Sequence, residues 1–314
     1  MPPKILVISG PTASGKTRLA VELALRHGGE VVSADSMQIY RRMDIGTAKP
    51  TPAEMRGVPH HMLDVADPEE DFSVARYVEL AAPCVDDILA RGKLPIVAGG
   101  TGLYLDSLLS GRTFAPFSPD GGLRARLEAR FDALGGEAML GELAAADPEA
   151  AARLHPNDRK RIVRALEVFQ QTGKTISQHN RETRALSPRY DALTLSLAFQ
   201  RREDMWARID RRVDEMMAAG LAEEVRALLD SGVPARCTAM QAIGYKEMAA
   251  AQRGGGDVCA AAEEIKLRSR QYAKRQLTWF RRTEGAKWLF WGPEPDFEAA
   301  CRTSTKYLEE FGLV

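Results

Sequence analysis

Gly10, Pro11, Thr12, Ala13, Ser14, Gly15, Lys16 and Thr17 satisfy the pattern G-x-x-x-x-G-K-[ST], the spacing of a phosphate-binding loop. Gly10 and Gly15 let the backbone curl so that successive N–H groups face an anion. Lys16 adds a full positive charge, and the Thr17 hydroxyl is suited to hold Mg²⁺. The loop predicts binding of a diphosphate or triphosphate without saying which compound carries it. Asp35, followed by Ser36, brings a carboxylate that can act as a Mg²⁺ ligand through water, as a general base, or as a helix cap. Thr101, among Gly99, Gly100 and Gly102, either donates a hydroxyl hydrogen bond into the same cleft or is a turn threonine. No aspartate ends the apolar run before it, which argues against an ATP hydrolase.

Cations gather in two further places. Arg159-Lys160-Arg161-Ile162-Val163-Arg164 puts four of them in six residues. Lys266 to Arg282 carries Lys266, Arg268, Arg270, Lys274, Arg275, Arg281 and Arg282 with no acidic residue, and Tyr272, Trp279 and Phe280 are interleaved. Such runs often only solvate a helix face. Two of them with aromatics available to stack on bases predict an RNA or other polyanion surface, which Arg41-Arg42 and Arg124-Ala125-Arg126 would extend. His60, His61 and Asp64 are read as structural, because adjacent histidines point to different sides of an extended chain.

These residues need elements to position them. Ile5-Leu6-Val7-Ile8 reads as a buried strand before the glycine loop, and Arg18 to Leu25 as the helix after it. Glu30 to Ala34 and Leu94 to Ala98 are the next strands, with a helix over Phe72 to Ala90 between them. Strands alternating with helices imply a parallel sheet, with the three strand ends lining one cleft. From Leu123 to about Gln178 the chain is rich in Ala, Arg, Leu and Glu and reads as short amphipathic helices. Strands return at Ala192 to Ala198 and at Trp288 to Trp291. Long helices are predicted over Asp204 to Leu229 and Ala260 to Arg282. The fold expected is α/β, a P-loop NTPase-like parallel sheet core of residues 1–114 and 191–314. A helical insertion of residues 115–190 hangs on it, bounded by turns at Pro116, Pro119 and Pro188.

Bulk properties restrict the class more than the activity. The 314 residues are 45% hydrophobic and 27% charged, ordinary for a globular protein. Formal net charge is zero, 43 basic against 43 acidic residues, so only local clustering can name a partner. Cys84, Cys237, Cys259 and Cys301 are scattered without a C-x-x-C pair, as expected in a reducing cytosol. No apolar stretch is long enough for a signal peptide or a membrane span. A soluble cytoplasmic protein with no membrane partner is expected.

Beyond the loop, the block Asp35-Ser36-Met37-Gln38-Ile39-Tyr40, running on through Met43-Asp44-Ile45-Gly46-Thr47-Ala48-Lys49-Pro50, resembles the tRNA dimethylallyltransferase (tRNA isopentenyltransferase) family. So do Pro59 to Asp64, Phe72 to Tyr77, Gly99 to Tyr104, His155 to Asp158, Arg164 to Val168, Gln241 to Tyr245 and Lys274 to Trp279. The resemblance spans nearly the whole chain in order. Arg159-Lys160 stands where the family often has Pro-Gln, and the zinc finger of eukaryotic members is absent, as in the bacterial type.

The resemblance implies transfer of a dimethylallyl group from dimethylallyl diphosphate to N6 of the adenosine just 3′ of the anticodon. Lys16, the loop amides and Mg²⁺ at Thr17 would stabilise the leaving diphosphate, Asp35 would be the base, and Thr101 would assist at the reacting adenine. It also implies a tRNA surface formed by Asp35, Ser36, Met37 and Gln38, by Thr101 and Arg124, and by Lys160, Arg161, Ile162, Val163 and Arg164. Gln241, Ala242, Ile243, Gly244, Tyr245 and Lys246 would join it, with Lys274, Arg275, Gln276, Leu277, Thr278, Trp279, Phe280 and Arg281. The partners expected are the tRNA anticodon stem-loop and dimethylallyl diphosphate, met by a monomer. Rival readings are an adenylate isopentenyltransferase acting on a free nucleotide, a P-loop small-molecule kinase, and a non-catalytic RNA-binding NTPase switch. The insertion and the basic carboxyl-terminal helix argue against the first, and the Asp35 block against the last.

Overall fold

The structure, a computed structural model, describes residues 2–111, 121–184 and 187–314. In chain order the first elements are β1 (Lys4–Ser9), α1 (Lys16–His27), β2 (Gly29–Ser33), α2 (Pro52–Met55), β3 (His60–His61), α3 (Val74–Ala90), β4 (Leu94–Gly99) and α4 (Gly102–Leu109). Four helices follow: α5 (Gly121–Ala146), α6 (Pro148–Ala151), α7 (Arg159–Thr172) and α8 (Ile176–Arg184). The chain then continues as β5 (Asp191–Phe199), α9 (Arg202–Ala218), α10 (Leu221–Asp230), α11 (Tyr245–Gly254), α12 (Val258–Phe280), β6 (Lys287–Trp291) and α13 (Phe297–Phe311). Among the described residues no helix is long and apolar enough to cross a membrane.

The six strands form one sheet in the order β3-β2-β4-β1-β5-β6, parallel throughout. Ile5, Leu6, Val7 and Ile8 are all buried, because helices cover both faces of the sheet and leave no polar side for alternation. β4 lies between β1 and β2, with Ser9 beside Gly99 and Ser33 beside Ala98. The chain leaving each of these strands therefore enters the same crevice, where sheet order reverses and α/β proteins bind ligands.

Two sequence expectations need correction here. Asp204 to Leu229 is two helices, not one, because Gly220 turns the chain between α9 and α10 with φ of 99°, a conformation costly for any residue with a Cβ. β3 was not foreseen, since its two histidines carry no strand periodicity. They pair with Val31 and Val32, with His61 Nε2 2.8 Å from Glu30 Oε2 and His60 Nδ1 2.9 Å from the Val58 carbonyl.

The chain divides into two compact units, Met1–Leu109 with Arg189–Val314, and Ser110–Pro188. The second has its own apolar core, in which Leu127, Met139, Leu143, Ile162, Val163 and Leu166 pack together. Its first helix is interrupted at Gly135, with φ of 81°. The division falls a few residues from the expected bounds at 115 and 190. Tyr190 belongs to the first unit because its side chain is buried there, with its hydroxyl 2.8 Å from Asp86 Oδ1. Beside it the Arg189 N–H donates to the Leu109 carbonyl at 2.9 Å, so the two ends of the first unit's gap are joined. Pro116 and Pro119, expected as boundary turns, lie outside the described residues.

Candidate active site

The glycine loop runs from the end of β1 into α1, and its shape depends on glycine at two points. A Cβ on Gly10 would stand 2.8 Å from the Leu197 carbonyl, and one on Gly15 2.7 Å from the Phe297 ring; both residues have positive φ. The loop is also braced from the carboxyl-terminal segment. Trp291 Nε1 donates to the Ser14 carbonyl at 2.8 Å, and its ring packs against Phe297, over which Arg18 stacks. Ser14 is fully buried, and among the described residues its hydroxyl has no hydrogen-bond partner. Lys16 Nζ turns back to donate to the Pro11 carbonyl at 2.7 Å. Crowding around the ammonium pushes its pKa down to about 8; Arg212 adds to the shift and Asp35 opposes it.

Asp35 follows β2 and faces the loop across a cavity of about 650 Å³ lined by Thr12, Lys16, Thr17, Asp35, Arg208 and Tyr272 among others. Its Oδ1 accepts from the Met37 N–H at 2.9 Å and from the Gln38 N–H at 3.4 Å, so it caps a turn, and no helix starts there for the helix cap that the sequence left open. Among the described residues Oδ2 has no hydrogen-bond partner, which leaves one oxygen for chemistry while the other fixes the carboxylate's direction. Thr101 reinforces the turn. Its Oγ1 accepts from the Ser36 N–H at 3.0 Å and lies 3.3 Å from Ser36 Oγ. Tyr272 comes in from α12, its phenol pushed up to about 12 first by burial and then by Asp35, with hydrogen bonding to Thr101 and Gln276 pulling the other way.

Sequence reasoning did not find two further cations. Arg208 Nε donates to the Ala13 carbonyl at 3.0 Å, and Arg212 Nη2 to the Ala48 carbonyl at 3.5 Å. Both line the cavity, one helical turn apart on α9. Burial pulls the Arg212 guanidinium below its usual pKa, with Glu54 and Asp35 opposing. The available signal was the spacing Arg208, Arg211, Arg212, which puts three cations on one helix face. Together with Lys16 they bring positive charge into a crevice that Asp35, Asp44, Glu54 and Glu215 also line.

The segment Asp44 to Lys49 forms another wall, and residues far away in sequence hold it. The Glu224 carboxylate on α10 accepts from the Asp44, Ile45 and Gly46 amides at 2.9, 2.8 and 3.2 Å. The Tyr245 hydroxyl donates to the same carboxylate. A Cβ on Gly46 would come within 2.4 Å of the Tyr245 ring, so only glycine admits this packing. Gln38 Nε2 donates to the Thr47 and Ala48 carbonyls at 3.3 and 3.1 Å.

Several residues expected on an RNA surface are instead interior. Tyr245 is fully buried against the Asp44 segment, and Gly244 ahead of it is the turn that starts α11. Ile162 and Val163 lie in the core of the helical unit, because a helix turns every third or fourth residue of a basic run inward. Phe280, 2% exposed, packs among Val97, Tyr104 and Leu108 under the sheet. Gln276 is 6% exposed and is hydrogen-bonded internally to the Thr12 amide and the Gly100 carbonyl. Ala242, Ile243 and Leu277 are partly buried at the rims of apolar clusters.

Towards its carboxyl end α12 exposes Lys274, Arg275, Thr278 and Trp279, and Arg281 and Arg282 follow it, also exposed. Lys266, Arg268 and Arg270 in the same run are matched by Asp214 with Glu263, by Glu264 and by Asp210. Trp279 is 39% exposed, and its Nε1 donates to Asp106 Oδ2 at 3.0 Å. Gln241 and Lys246 are exposed. Within the helical unit, Arg124 Nε lies 3.2 Å from Glu128 and Arg164 Nη1 2.8 Å from Glu167, whereas Lys160 and Arg161 carry no ion pair among the described residues.

The chain is similar in sequence and fold to known proteins. The family model described as IPP transferase matches residues 38–283, and one described as Isopentenyl transferase matches residues 3–70. A tRNA dimethylallyltransferase of Acetivibrio thermocellus is 45% identical over 98% of this chain and 98% of its own length. One of Geobacter sulfurreducens is 49% identical over 91% of each. The solved tRNA isopentenylpyrophosphate transferase of Bacillus halodurans superposes with a TM-score of 0.73 at 41% identity, covering 98% of this chain and 96% of that one. A eukaryotic dimethylallyltransferase described as acting on tRNA superposes with a TM-score of 0.81 at 28% identity, covering 98% and 78%. With a family match over most of its length and full-length relatives near half identity, the chain belongs to the IPP transferase family.

Proposed function

We propose that this protein transfers a dimethylallyl group from dimethylallyl diphosphate to N6 of the adenosine 3′-adjacent to the anticodon of tRNA, releasing diphosphate. The observation that carries this reading is the pairing, in one cavity, of the glycine loop with Asp35, whose Oδ2 is uncommitted. A phosphate cradle facing a carboxylate suits a reaction in which diphosphate leaves one reactant while a proton leaves the other.

As the allylic C–O bond breaks, its electron pair departs with the diphosphate. Lys16, the loop amides, Arg208 and Arg212 meet that growing charge, which favours the transition state over the ground state. The N6 lone pair forms the new C–N bond. Because that amine is conjugated with the purine ring, it attacks well only as its proton is removed, and Asp35 Oδ2 takes it. Thr101, through Ser36, holds the turn that aims the carboxylate. The reacting adenosine has to leave the anticodon-loop stack to enter the crevice.

Thr17 brings a hydroxyl oxygen to the cavity, a hard donor that fits Mg²⁺. When bound, Mg²⁺ would neutralise charge on the diphosphate and take most of its remaining ligands from phosphate and water. The exposed cations of α12, with Trp279, and the helical unit's Lys160 and Arg161 are the surfaces we assign to the anticodon stem-loop. The loop and the base both come from one chain, so a monomer suffices. The cytoplasm, where tRNA is matured, is the compartment expected.

Incubation with dimethylallyl diphosphate and either tRNA, AMP or ATP, followed by mass spectrometry of the products, tests this reading. A gain of one dimethylallyl group on tRNA alone is expected. Alkylation of AMP or ATP instead would make it a nucleotide prenyltransferase. Phosphoryl transfer from ATP would make it a kinase.

A further inference from the structure

Gln276 was grouped by sequence with RNA contacts, yet it points away from solvent. Its Oε1 accepts from the Thr12 N–H at 2.9 Å, and its Nε2 donates to the Gly100 carbonyl at 2.8 Å. Thr12 belongs to the phosphate loop. Gly100 precedes Thr101, which holds the Ser36 end of the Asp35 turn. One buried primary amide thus ties the loop that receives the leaving group to the segment that aims the base. It does so from α12, whose opposite face carries Lys274, Arg275 and Thr278. Only an amide can satisfy both partners at this place. A carboxylate lacks the donor for Gly100, an ammonium lacks the acceptor for Thr12, and an apolar side chain strands both backbone groups. The site has no slack, since a Cβ on Gly100 would meet Gln276 Nε2 at 2.4 Å.

We infer that Gln276 is a positioning residue that sets the separation between the diphosphate cradle and the Asp35 base, rather than a contact to RNA. The inference rests on the proposed prenyl transfer for its kinetic readout, and on the two hydrogen bonds for the rest. Misplacing reacting groups by about an ångström costs a reaction roughly 10²-fold, so the effect belongs in kcat. Affinity for tRNA belongs to the outer face of the helix and should not change.

The test compares Gln276→Leu and Gln276→Glu with the parent in four measurements: steady-state prenyl transfer, tRNA affinity, inorganic pyrophosphate binding by calorimetry, and amide hydrogen exchange. Gln276→Leu should lower kcat by roughly 10- to 100-fold with tRNA affinity within about twofold of the parent. Exchange should accelerate in the segments around Thr12 and Gly100. Gln276→Glu keeps the acceptor for Thr12 but adds negative charge beside the cradle. It should weaken pyrophosphate binding more than Gln276→Leu does and should remain protected at Thr12. Parental kcat in a folded Gln276→Leu protein, or a loss confined to tRNA affinity, would overturn the assignment. If the leucine variant does not fold, the glutamate variant decides through Thr12 exchange and pyrophosphate binding. If the parent itself does not prenylate tRNA, the proposed function fails, while the exchange and pyrophosphate measurements still judge the strut.

Discussion

At the scale of single residues, the site works by giving two groups unequal surroundings. Lys16 sits where solvent is scarce and a guanidinium is close, so its proton is held only to about pH 8 in the free protein. A diphosphate binds the charged form, so donor affinity should be level at neutral pH and fall as pH rises through about 8. Lys16→Arg, which stays charged, should abolish that step, and calorimetric titration from pH 7 to 9.5 reads it. Lys16→Ala should raise the barrier to transfer by about 3 kcal/mol while tRNA still binds. Asp35 is held through one oxygen and free through the other. Asp35→Asn preserves a carbonyl oxygen for the turn amides but loses the proton acceptor. The rate of transfer should fall roughly 10²- to 10⁴-fold with little change in donor affinity. A large loss of Mg²⁺-dependent donor binding with a small rate effect would move Asp35 into the metal site.

At the scale of elements, support comes from outside the motifs. Glu30 on β2 is almost fully buried and takes Arg91, Lys93 and His61 as partners, which join β2 to β3 and to the end of α3. Arg91 first, then Lys93 and His61, hold its carboxyl far below the usual range against the opposing effect of burial. A carboxyl depressed on folding stabilises the protein above its unfolded pKa, and that stability is lost as pH falls through the folded one. Glu30→Gln should therefore cost about 2–3 kcal/mol at neutral pH, and the deficit should shrink in acid; thermal melts at pH 7 and pH 3 measure both. On α12, acids pair with the first three cations, so the proposed RNA contacts are those further along. Neutralising Lys274, Arg275 and Arg281 together should weaken tRNA binding and flatten the slope of log affinity against log salt by roughly two units, at about 0.7 per phosphate contact. Unchanged affinity and slope would show that these cations only solvate the helix. The glycine loop, Asp35 and Thr101 were legible because each is a short run read within a single strand-to-loop transition. Arg208, Arg212, Glu224 and Gln276 were not. Each lies on a helix where charge or amide resembles an ordinary solvated face until tertiary packing supplies its partner. Tyr245, Ile162, Val163 and Phe280 were misplaced for the converse reason, since a motif is copied as a run while a helix divides that run between core and solvent.

At the scale of the whole molecule, the helical unit is an excursion from the sheet fold. It has its own core, and β5 completes the sheet on the far side of the gap in sequence. Replacing residues 110–188 by two glycines should leave a folded protein that binds dimethylallyl diphosphate within about threefold of the parent but has lost most of its tRNA affinity. Circular dichroism and the two binding titrations check this. Loss of diphosphate binding would mean that the sheet unit needs the helices to form its cradle. The hydrogen bond from the Arg189 N–H to the Leu109 carbonyl is the reason two glycines should suffice. With two residues between them, that contact is the closing bond of a four-residue β-turn. The junction thus behaves as a socket. A segment of any length whose ends meet there can be exchanged without altering a strand, so a relative's helices inserted between Leu109 and Arg189 should carry that relative's choice of tRNA with them while the chemistry stays with its host.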